Sequence, residues 1–278
     1  MQGVLAPGHR SADEAAIAAH NLLRAHAQGV RAYRAVGHQQ IGLVVNIEPK
    51  HLPADATDAD RRAQSLADAY MNRQYLDPAN FGRYPEELPA VFGSSWPDWP
   101  LSEVEALAVP IDFLGLNYYT RSVVRHDPDA WPVPALALRQ AGATYTETGW
   151  ELHPPSLAET LLWMHERYGG LPLYVTENGA AFYDPPSAID GRIDDPLRVH
   201  YLQTHIAAVS DAITRGADVR GYCAWSLLDN LEWAHGFSKR FGLVHVNFET
   251  LQRTPKASAR WYAALIAGHR ANRHTNAA

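Results

Sequence analysis

Cysteine and long apolar segments are both scarce in this sequence. Cys223 is the single cysteine among 278 residues, so no disulfide can form within the chain. No stretch approaches the roughly 20 consecutive apolar residues that a membrane-spanning helix needs. Residues 1–10 lack the apolar core of a secretory signal peptide. These absences predict a protein of a reducing, cytoplasmic compartment.

Clusters of basic residues are also missing. The 24 Lys and Arg residues are outnumbered by 30 Asp and Glu residues, which gives a formal net charge of -6. Without a basic patch, the chain lacks the electrostatic attraction that nucleic acids and anionic membranes require. It also lacks a glycine-rich phosphate loop and a Gly-x-Ser-x-Gly nucleophile motif. We therefore expect no nucleic-acid partner, no membrane partner and no cofactor.

Histidine is abundant, yet its spacing does not favour a metal site. The chain has 14 His residues, scattered over loops and predicted helices. His20 and His26 are six residues apart, so they do not share a helical face, and no pair shows the usual ligand spacing. We interpret them as surface and core histidines and predict no metal site.

Four apolar segments are predicted to form strands. Each is apolar nearly throughout rather than alternating, which is typical of parallel strands covered on both faces. The strand candidates are residues 41–47, 111–119, 173–177 and 219–226.

Helices are predicted between these strands. Their starts are predicted from capping pairs and from proline at the first turn. These starts are Ser11 with Glu14, Ser102 with Glu105, Ser156 with Glu159, Asp195 with Pro196, and Thr254 with Pro255. The alternation of strands and helices predicts one α/β domain over residues 1–278, with a parallel sheet and right-handed crossovers.

Polar and aromatic residues gather at the carboxyl ends of the four predicted strands. Any one of them could have a structural role, but in parallel α/β folds this edge is where ligands bind. Their presence at all four ends therefore favours a binding site. The residues are Asn46 and Glu48, Asn117 and Tyr119, Glu177 and Asn178, and finally Trp225, Ser226, Asp229 and Asn230.

Two carboxylates stand out at these ends. Glu177 ends an apolar strand just before an Asn-Gly turn, which is how an open α/β site presents a nucleophile. Glu232 lies between Trp225 and Trp233, an arrangement that suits a sugar, since hydroxyls donate to the carboxylate and the C–H face stacks on indole. Each also has a structural interpretation. Glu177 could be a solvated residue at an ordinary turn, and Glu232 could be a loop residue beside two Trp residues of the core.

Four segments together resemble glycoside hydrolase family 1, the β-glucosidase-type family of (β/α)8 barrels. The segments are residues 112–119, 174–179, 225–243 and 253–262, and the resemblance extends over essentially the whole chain. It implies an α/β fold of the parallel TIM-barrel type. Within that barrel, the resemblance implies that this chain supplies strands five to eight, a half barrel.

The resemblance also implies roles for individual residues. Glu177 matches the catalytic nucleophile, and Tyr119 matches the tyrosine that orients it. The implied substrate-binding residues are Asn117 near Tyr119, Trp150 at the aglycone side, Trp225 beneath the nonreducing sugar, Glu232 and Trp233 at its outer hydroxyls, and Phe241 bordering the same subsite. Family members have a cis peptide at the position of Trp225-Ser226, which is uncommon outside proline.

The family's general acid/base is what the sequence lacks. The resemblance places it in an Asn-Glu-Pro motif of the first half of the barrel, ahead of this chain. Residues 46–49 look superficially similar, but their additional residue shifts the Glu48 carboxylate to the other face of the strand, so we expect no catalytic role for Glu48. A half barrel leaves two strand edges unpaired, so the missing half or a second copy is the expected partner.

The predicted function is therefore that of a retaining β-glycosidase of the β-glucosidase type. It would hydrolyse terminal nonreducing β-D-glucosyl or related residues by double displacement, with the acid/base outside this chain. The alternative is a catalytically inactive fragment of the same fold that binds sugar or assembles with itself. In the resemblance, Glu232 with Trp233 favours glucose, fucose or galactose and argues against a 6-phosphate sugar.

Overall fold

The computed structural model describes residues 3–185 and 188–275. Its helices are α1 (Ala12–Arg34), α2 (Asp58–Asp68), α3 (Gln74–Phe81), α4 (Leu88–Phe92), α5 (Leu101–Glu105), α6 (Pro154–Arg167), α7 (Pro196–Thr214) and α8 (Ala257–Thr275). Its strands are β1 (Gly42–Ile47), β2 (Lys50–His51), β3 (Phe113–Tyr118), β4 (Ser122–His126), β5 (Ala135–Leu138), β6 (Leu173–Asn178), β7 (Val219–Ala224), β8 (Val244–Val246) and β9 (Arg253–Pro255). A π-helical turn (Ala69–Arg73) joins α2 to α3, and short 3₁₀ turns lie at Gly93–Ser95 and Trp233–His235.

The four predicted strands form one parallel sheet in the order β1-β3-β6-β7. This confirms the predicted α/β fold with a parallel sheet. The register of β3 against β6 shifts between Leu116 and Asn117, and that of β6 against β7 shifts twice, after Leu173 and between Val175 and Asn178. The shift in β3 and the second shift of β6 lie near the carboxyl ends of the strands, where they change the direction of the side chains that follow.

The main core lies on one face of this sheet. Leu114, Leu116 and Val175 are fully buried there against Leu161 of α6 and Ala212 of α7. On the opposite face, the side chain of Val44 is 47% exposed and Cys223 is also exposed. The apolar strands predict a sheet whose two faces are both buried. Within the described residues, only the face against α6 and α7 is buried.

The predicted helix starts are partly correct. The hydroxyl of Ser11 accepts from the backbone N of Glu14 at 3.1 Å, so Ser11 caps α1 as predicted. The prediction that Ser156 caps α6 is wrong, because that helix begins at Pro154 and Ser156 is buried inside it. Proline suits the first turn of a helix since its missing N–H would have no partner there.

Two further β structures were not predicted. A small sheet has the order β2-β4-β5, and β8 pairs with β9 as an antiparallel hairpin. The hairpin takes up Thr254 and Pro255, so α8 begins two residues later than predicted, at Ala257. Across the residues with assigned structure, no helix combines the length and apolar character that crossing a membrane would require.

Candidate active site

A cavity of about 650 Å³ lies at the carboxyl ends of the parallel strands. All eight residues that the sequence suggested for catalysis or sugar binding line it. They are Asn117, Tyr119, Trp150, Glu177, Trp225, Glu232, Trp233 and Phe241. The cavity therefore brings together groups that are far apart in the sequence. Three neighbouring strand ends supply four of them, Asn117, Tyr119, Glu177 and Trp225, and the connecting segments supply the other four.

Glu177 and Tyr119 form a direct hydrogen bond in this cavity. The Tyr119 hydroxyl donates to Oε2 of Glu177 at 2.5 Å. Burial, followed by the hydrogen bond to Glu177, raises the pKa of Tyr119 well above its ordinary value. The hydroxyl therefore stays protonated at neutral pH and donates to the carboxylate, which holds one of the two Glu177 oxygens in place.

The residue after Glu177 is fixed from the opposite side. The side-chain amide of Asn178 donates to the backbone O of Tyr118 at 2.8 Å and to the hydroxyl of Tyr201 at 2.9 Å. Its carbonyl oxygen accepts from the Tyr222 hydroxyl at 2.7 Å. Asn178 is fully buried, and its amide uses three of its four hydrogen-bonding positions there. This anchoring turns Asn178 into the core while Glu177 lines the cavity.

Aromatic rings form one wall of the cavity. The ring centroid of Tyr119 lies 4.9 Å from that of Trp150 and 6.3 Å from that of Phe241, and Trp150 and Phe241 are 6.0 Å apart. Asn117 lies in β3, two residues before Tyr119. Its side-chain oxygen accepts from the hydroxyl of Thr176 in β6 at 2.7 Å. Such a wall offers stacking surface beside hydrogen-bonding groups, which suits an amphipathic ligand.

The chain that leaves β7 crosses directly over the end of β6. The peptide bond between Trp225 and Ser226 is cis, as the resemblance implied. The backbone N of Trp225 donates to the O of Asn178 at 2.9 Å. A Cβ atom on Gly179 would lie 1.9 Å from the O of Trp225, so this crossing requires glycine at position 179.

Glu232 and Trp233 lie at the far end of this connection. Partial burial raises the pKa of Glu232 above its ordinary value. The nearby His235 lowers this pKa, whereas the negative charge of Glu177 raises it further. Trp233 is 78% exposed and has a positive φ of 21°, which is uncommon for a bulky residue. The loop therefore presents an indole to solvent at the edge of the cavity, next to a carboxylate.

Glu48 also borders the cavity, and it lies just beyond the end of β1. The strand ends at Ile47, so strict alternation of faces no longer applies at the next residue. The Glu48 carboxylate is ion-paired with Lys50 at 2.5 Å and accepts from the hydroxyl of Ser122. A carboxylate held in this way is poorly suited to deliver a proton.

Sequence reasoning missed part of the lining. Thr120 and Leu231 border the cavity, and so do Asn46 and Asn230, which had been noted at strand ends without a role. Thr120 follows Tyr119 directly and carries no pattern that separates it from an ordinary strand residue. No group of three or more His, Cys, Asp or Glu side chains with a metal-binding arrangement occurs in the described part of the chain.

Comparison with known proteins decides the family. The sequence model described as Glycosyl hydrolase family 1 matches residues 1–271. The chain belongs to this family. A β-glucosidase of Agrobacterium sp. is 36% identical over 99% of the chain, and a bifunctional β-D-glucosidase/β-D-fucosidase of Bifidobacterium breve is 40% identical over 96% of it.

Solved family 1 structures share the fold of this chain. The family 1 β-glucosidase of Thermotoga maritima is 38% identical and superposes with a TM-score of 0.89 over 95% of the chain. The AHE enzyme of Alicyclobacillus herbarius is 41% identical, with a TM-score of 0.90 over 96%. The family 1 chain spans about 60% of the length of these relatives.

Proposed function

We propose that this chain carries the nucleophile and the sugar-binding side of a retaining β-glycosidase of the β-glucosidase type. The observation that carries the proposal is the 2.5 Å hydrogen bond from Tyr119 to Glu177, inside a cavity that also holds Glu232 and several aromatic rings. Family membership supports it, since relatives over almost the whole chain are named β-glucosidases. The proposed substrates are β-glucosides and oligosaccharides with a terminal nonreducing β-D-glucosyl residue.

The proposed reaction is a double displacement. Oxygen Oε1 of Glu177, the one that Tyr119 does not hold, attacks the anomeric carbon while the bond from that carbon to the leaving oxygen breaks. A general acid gives its proton to the leaving oxygen. The same group then takes a proton from water as the water oxygen attacks the anomeric carbon and releases Glu177.

We assign this general acid/base to a part of the barrel outside the 278 residues. A retaining site needs two carboxyl groups about 5–5.5 Å apart. Of the other carboxylates that line the cavity, Glu48 is ion-paired with Lys50, and Glu232 lies beside the exposed Trp233. The proposal therefore equates β1, β3, β6 and β7 with strands five to eight of the family barrel, and makes the first half of that barrel the partner.

Covalent labelling tests the nucleophile without the missing acid. The probe is 2,4-dinitrophenyl 2-deoxy-2-fluoro-β-D-glucoside, whose leaving group departs as a stable anion and needs no proton. The expected result is a mass increase of one fluoroglucosyl unit, located on Glu177 by peptide mapping. The matched control is Glu177→Gln, which should stay unlabelled. An unlabelled native chain, also after addition of the first half of a family barrel, would contradict the proposal.

The second candidate is a chain that binds sugar without turning it over by itself. It is favoured by the ion pair with Lys50, which makes the Glu48 carboxylate a poor proton donor. This candidate predicts binding of isofagomine lactam, a neutral sugar mimic that a Thermotoga maritima relative binds in a solved structure. It also predicts no hydrolysis of a chromogenic β-glucoside by the chain alone. Turnover at a rate typical of complete family members would exclude it.

A further inference from the structure

A cluster of buried charges lies beside the cavity and takes no part in the proposed reaction. Each of its members is at most 8% exposed. The members are Asp184, Asp195, Arg198, Asp229 and Lys256, which we call the buried charge cluster. Buried charges are costly unless they are paired, so a cluster of five demands a structural or functional reason.

Asp229 holds the loop that carries Glu232. The Asp229 carboxylate is buried three positions before Glu232, and each of its oxygens accepts two hydrogen bonds. Oδ1 accepts from the backbone N of Gly242 at 2.9 Å and from Nζ of Lys256 at 3.0 Å, and Oδ2 accepts from Nη1 of Arg240 at 2.9 Å and from the backbone N of Val246 at 3.2 Å. The loop is thus tied to the chain that follows it.

Asp184 belongs to the chain that follows Glu177. Its Oδ2 accepts from Nζ of Lys256 at 2.5 Å, and its Oδ1 lies 3.2 Å from Nη1 of Arg198. Nε of Arg198 also donates to the backbone O of Ala180 at 3.4 Å, three positions after Glu177. The segment that leaves the proposed nucleophile is therefore anchored in the same cluster as the Glu232 loop.

Lys256 joins the two anchors. Its side chain is fully buried, and its Nζ lies between the carboxylates of Asp184 and Asp229. Its backbone N donates to the O of Leu243 at 3.0 Å, which fixes the start of the side chain against the β8 region. We propose that Lys256 is a positioning residue that holds the Glu177 segment and the Glu232 loop at the spacing that a bound sugar requires.

This inference rests on the proposed function, because the spacing matters when one sugar ring contacts both carboxylates. A displacement of about 1 Å in such a site can cost about a hundredfold in rate. Lys256 does not line the cavity, so its effect would act through Asp184 and Asp229.

The test distinguishes the bridge that Lys256 forms between Asp184 and Asp229 from the mere loss of a buried positive charge. Lys256→Met leaves a buried negative charge without its partner and is expected to lower stability. The double variant Lys256→Met/Asp184→Asn removes one charge of each sign, so the cluster keeps its native net charge but lacks the bridge to Asp229. The matched control is Arg167→Met/Asp77→Asn, which removes an ion pair between α6 and α3, away from the cavity.

The stability of all four proteins, each as the full chain, is measured by urea denaturation, and two further measurements are made on each. The first is amide hydrogen exchange of residues 226–236, which needs no ligand. The second is the affinity for isofagomine lactam by calorimetry. For the double variant we expect recovery of most of the stability lost in Lys256→Met, exchange about tenfold faster in this loop and affinity about tenfold weaker, whereas the control keeps native values in both.

The outcomes keep the two proposals apart. A double variant with native loop exchange and native affinity would overturn the role of Lys256. If the native chain does not bind isofagomine lactam, the proposed sugar site fails, and loop exchange still decides whether Lys256 holds the loop. Equal exchange in the double variant and the control would then reject the link.

Discussion

The hydroxyl of Tyr119, directly after β3, donates a 2.5 Å hydrogen bond to Oε2 of Glu177 in β6. The two residues are 58 positions apart, and the parallel pairing of β3 with β6 places Glu177 opposite Asn117, two positions before Tyr119. Glu177 itself lines the cavity. The geometry is therefore that of a carboxylate aimed by a neighbour rather than a solvated strand end.

Removing this hydroxyl should slow the reaction of Glu177. A hydrogen bond to a charged group contributes about 1.5–3 kcal/mol, so Tyr119→Phe should label with the 2-fluoroglucoside about tenfold to a hundredfold more slowly than the native chain. The measurement is the rate of mass increase. Tyr33→Phe is the control, since Tyr33 lies on α1, outside the cavity, and its hydroxyl accepts from the backbone N of Gln39. Equal rates for native protein and Tyr119→Phe would reject an orienting role.

Sugar binding should weaken in mild acid because of Glu232. Partial burial raises the pKa of this carboxyl above the ordinary value of 4.5. The ionised form accepts hydrogen bonds from sugar hydroxyls, and a raised pKa means that this form is lost at a higher pH than for an exposed Glu. Affinity for neutral isofagomine lactam should therefore fall as the pH drops through the raised pKa, with calorimetry as the measurement.

The control for this pH dependence is Glu232→Gln. It should bind isofagomine lactam weakly at neutral pH and show a smaller change of affinity with pH, since Gln does not titrate. A native chain whose affinity stays constant down to the ordinary pKa of Glu would show that Glu232 does not contact the sugar mimic.

The sequence allowed the strands and the cavity lining to be predicted, but not the buried charged residues that hold the lining in position. Glu177 and Glu232 could be found because each follows a local pattern, a strand before an Asn-Gly turn and a carboxylate between indoles. No local sequence pattern identifies Lys256 as a buried residue, because its burial depends on Asp184, which is 72 positions away. Long-range pairing of this kind is not encoded in local spacing, so it becomes visible only in the folded chain.

The burial of the two faces of the parallel sheet was also predicted only in part from the sequence. Apolar runs predicted strands covered on both faces, yet Val44 is 47% exposed on the face opposite α6 and α7. An apolar run indicates that both faces of a strand can be buried, but it does not show which residues supply the cover.

Substituting Gly179 should destabilise the fold through a steric conflict. A Cβ there would lie 1.9 Å from the O of Trp225, so Gly179→Ala forces the end of β6 and the chain after β7 apart. We expect a loss of about 1–3 kcal/mol in the free energy of unfolding, measured by urea denaturation. The control is Gly29→Ala in α1, where nothing lies within 4 Å of the added Cβ and a gain of about 0.5–1 kcal/mol is expected. Equal stability of the two variants would show that the strand end yields without cost.

Cys223 reports whether a partner covers the open face of the sheet. Its thiol is exposed, and its position two residues after Gly221 places it on the same face as Val44. The native chain alone should therefore react fully with a disulfide reagent such as 5,5′-dithiobis(2-nitrobenzoate), and Cys223→Ser should not react. If the proposed half barrel is the partner, it should pack against this face, so adding the first half of a family barrel should slow the reaction in parallel with the appearance of β-glucosidase activity. Activity that appears while Cys223 stays equally reactive would place the partner elsewhere on the chain.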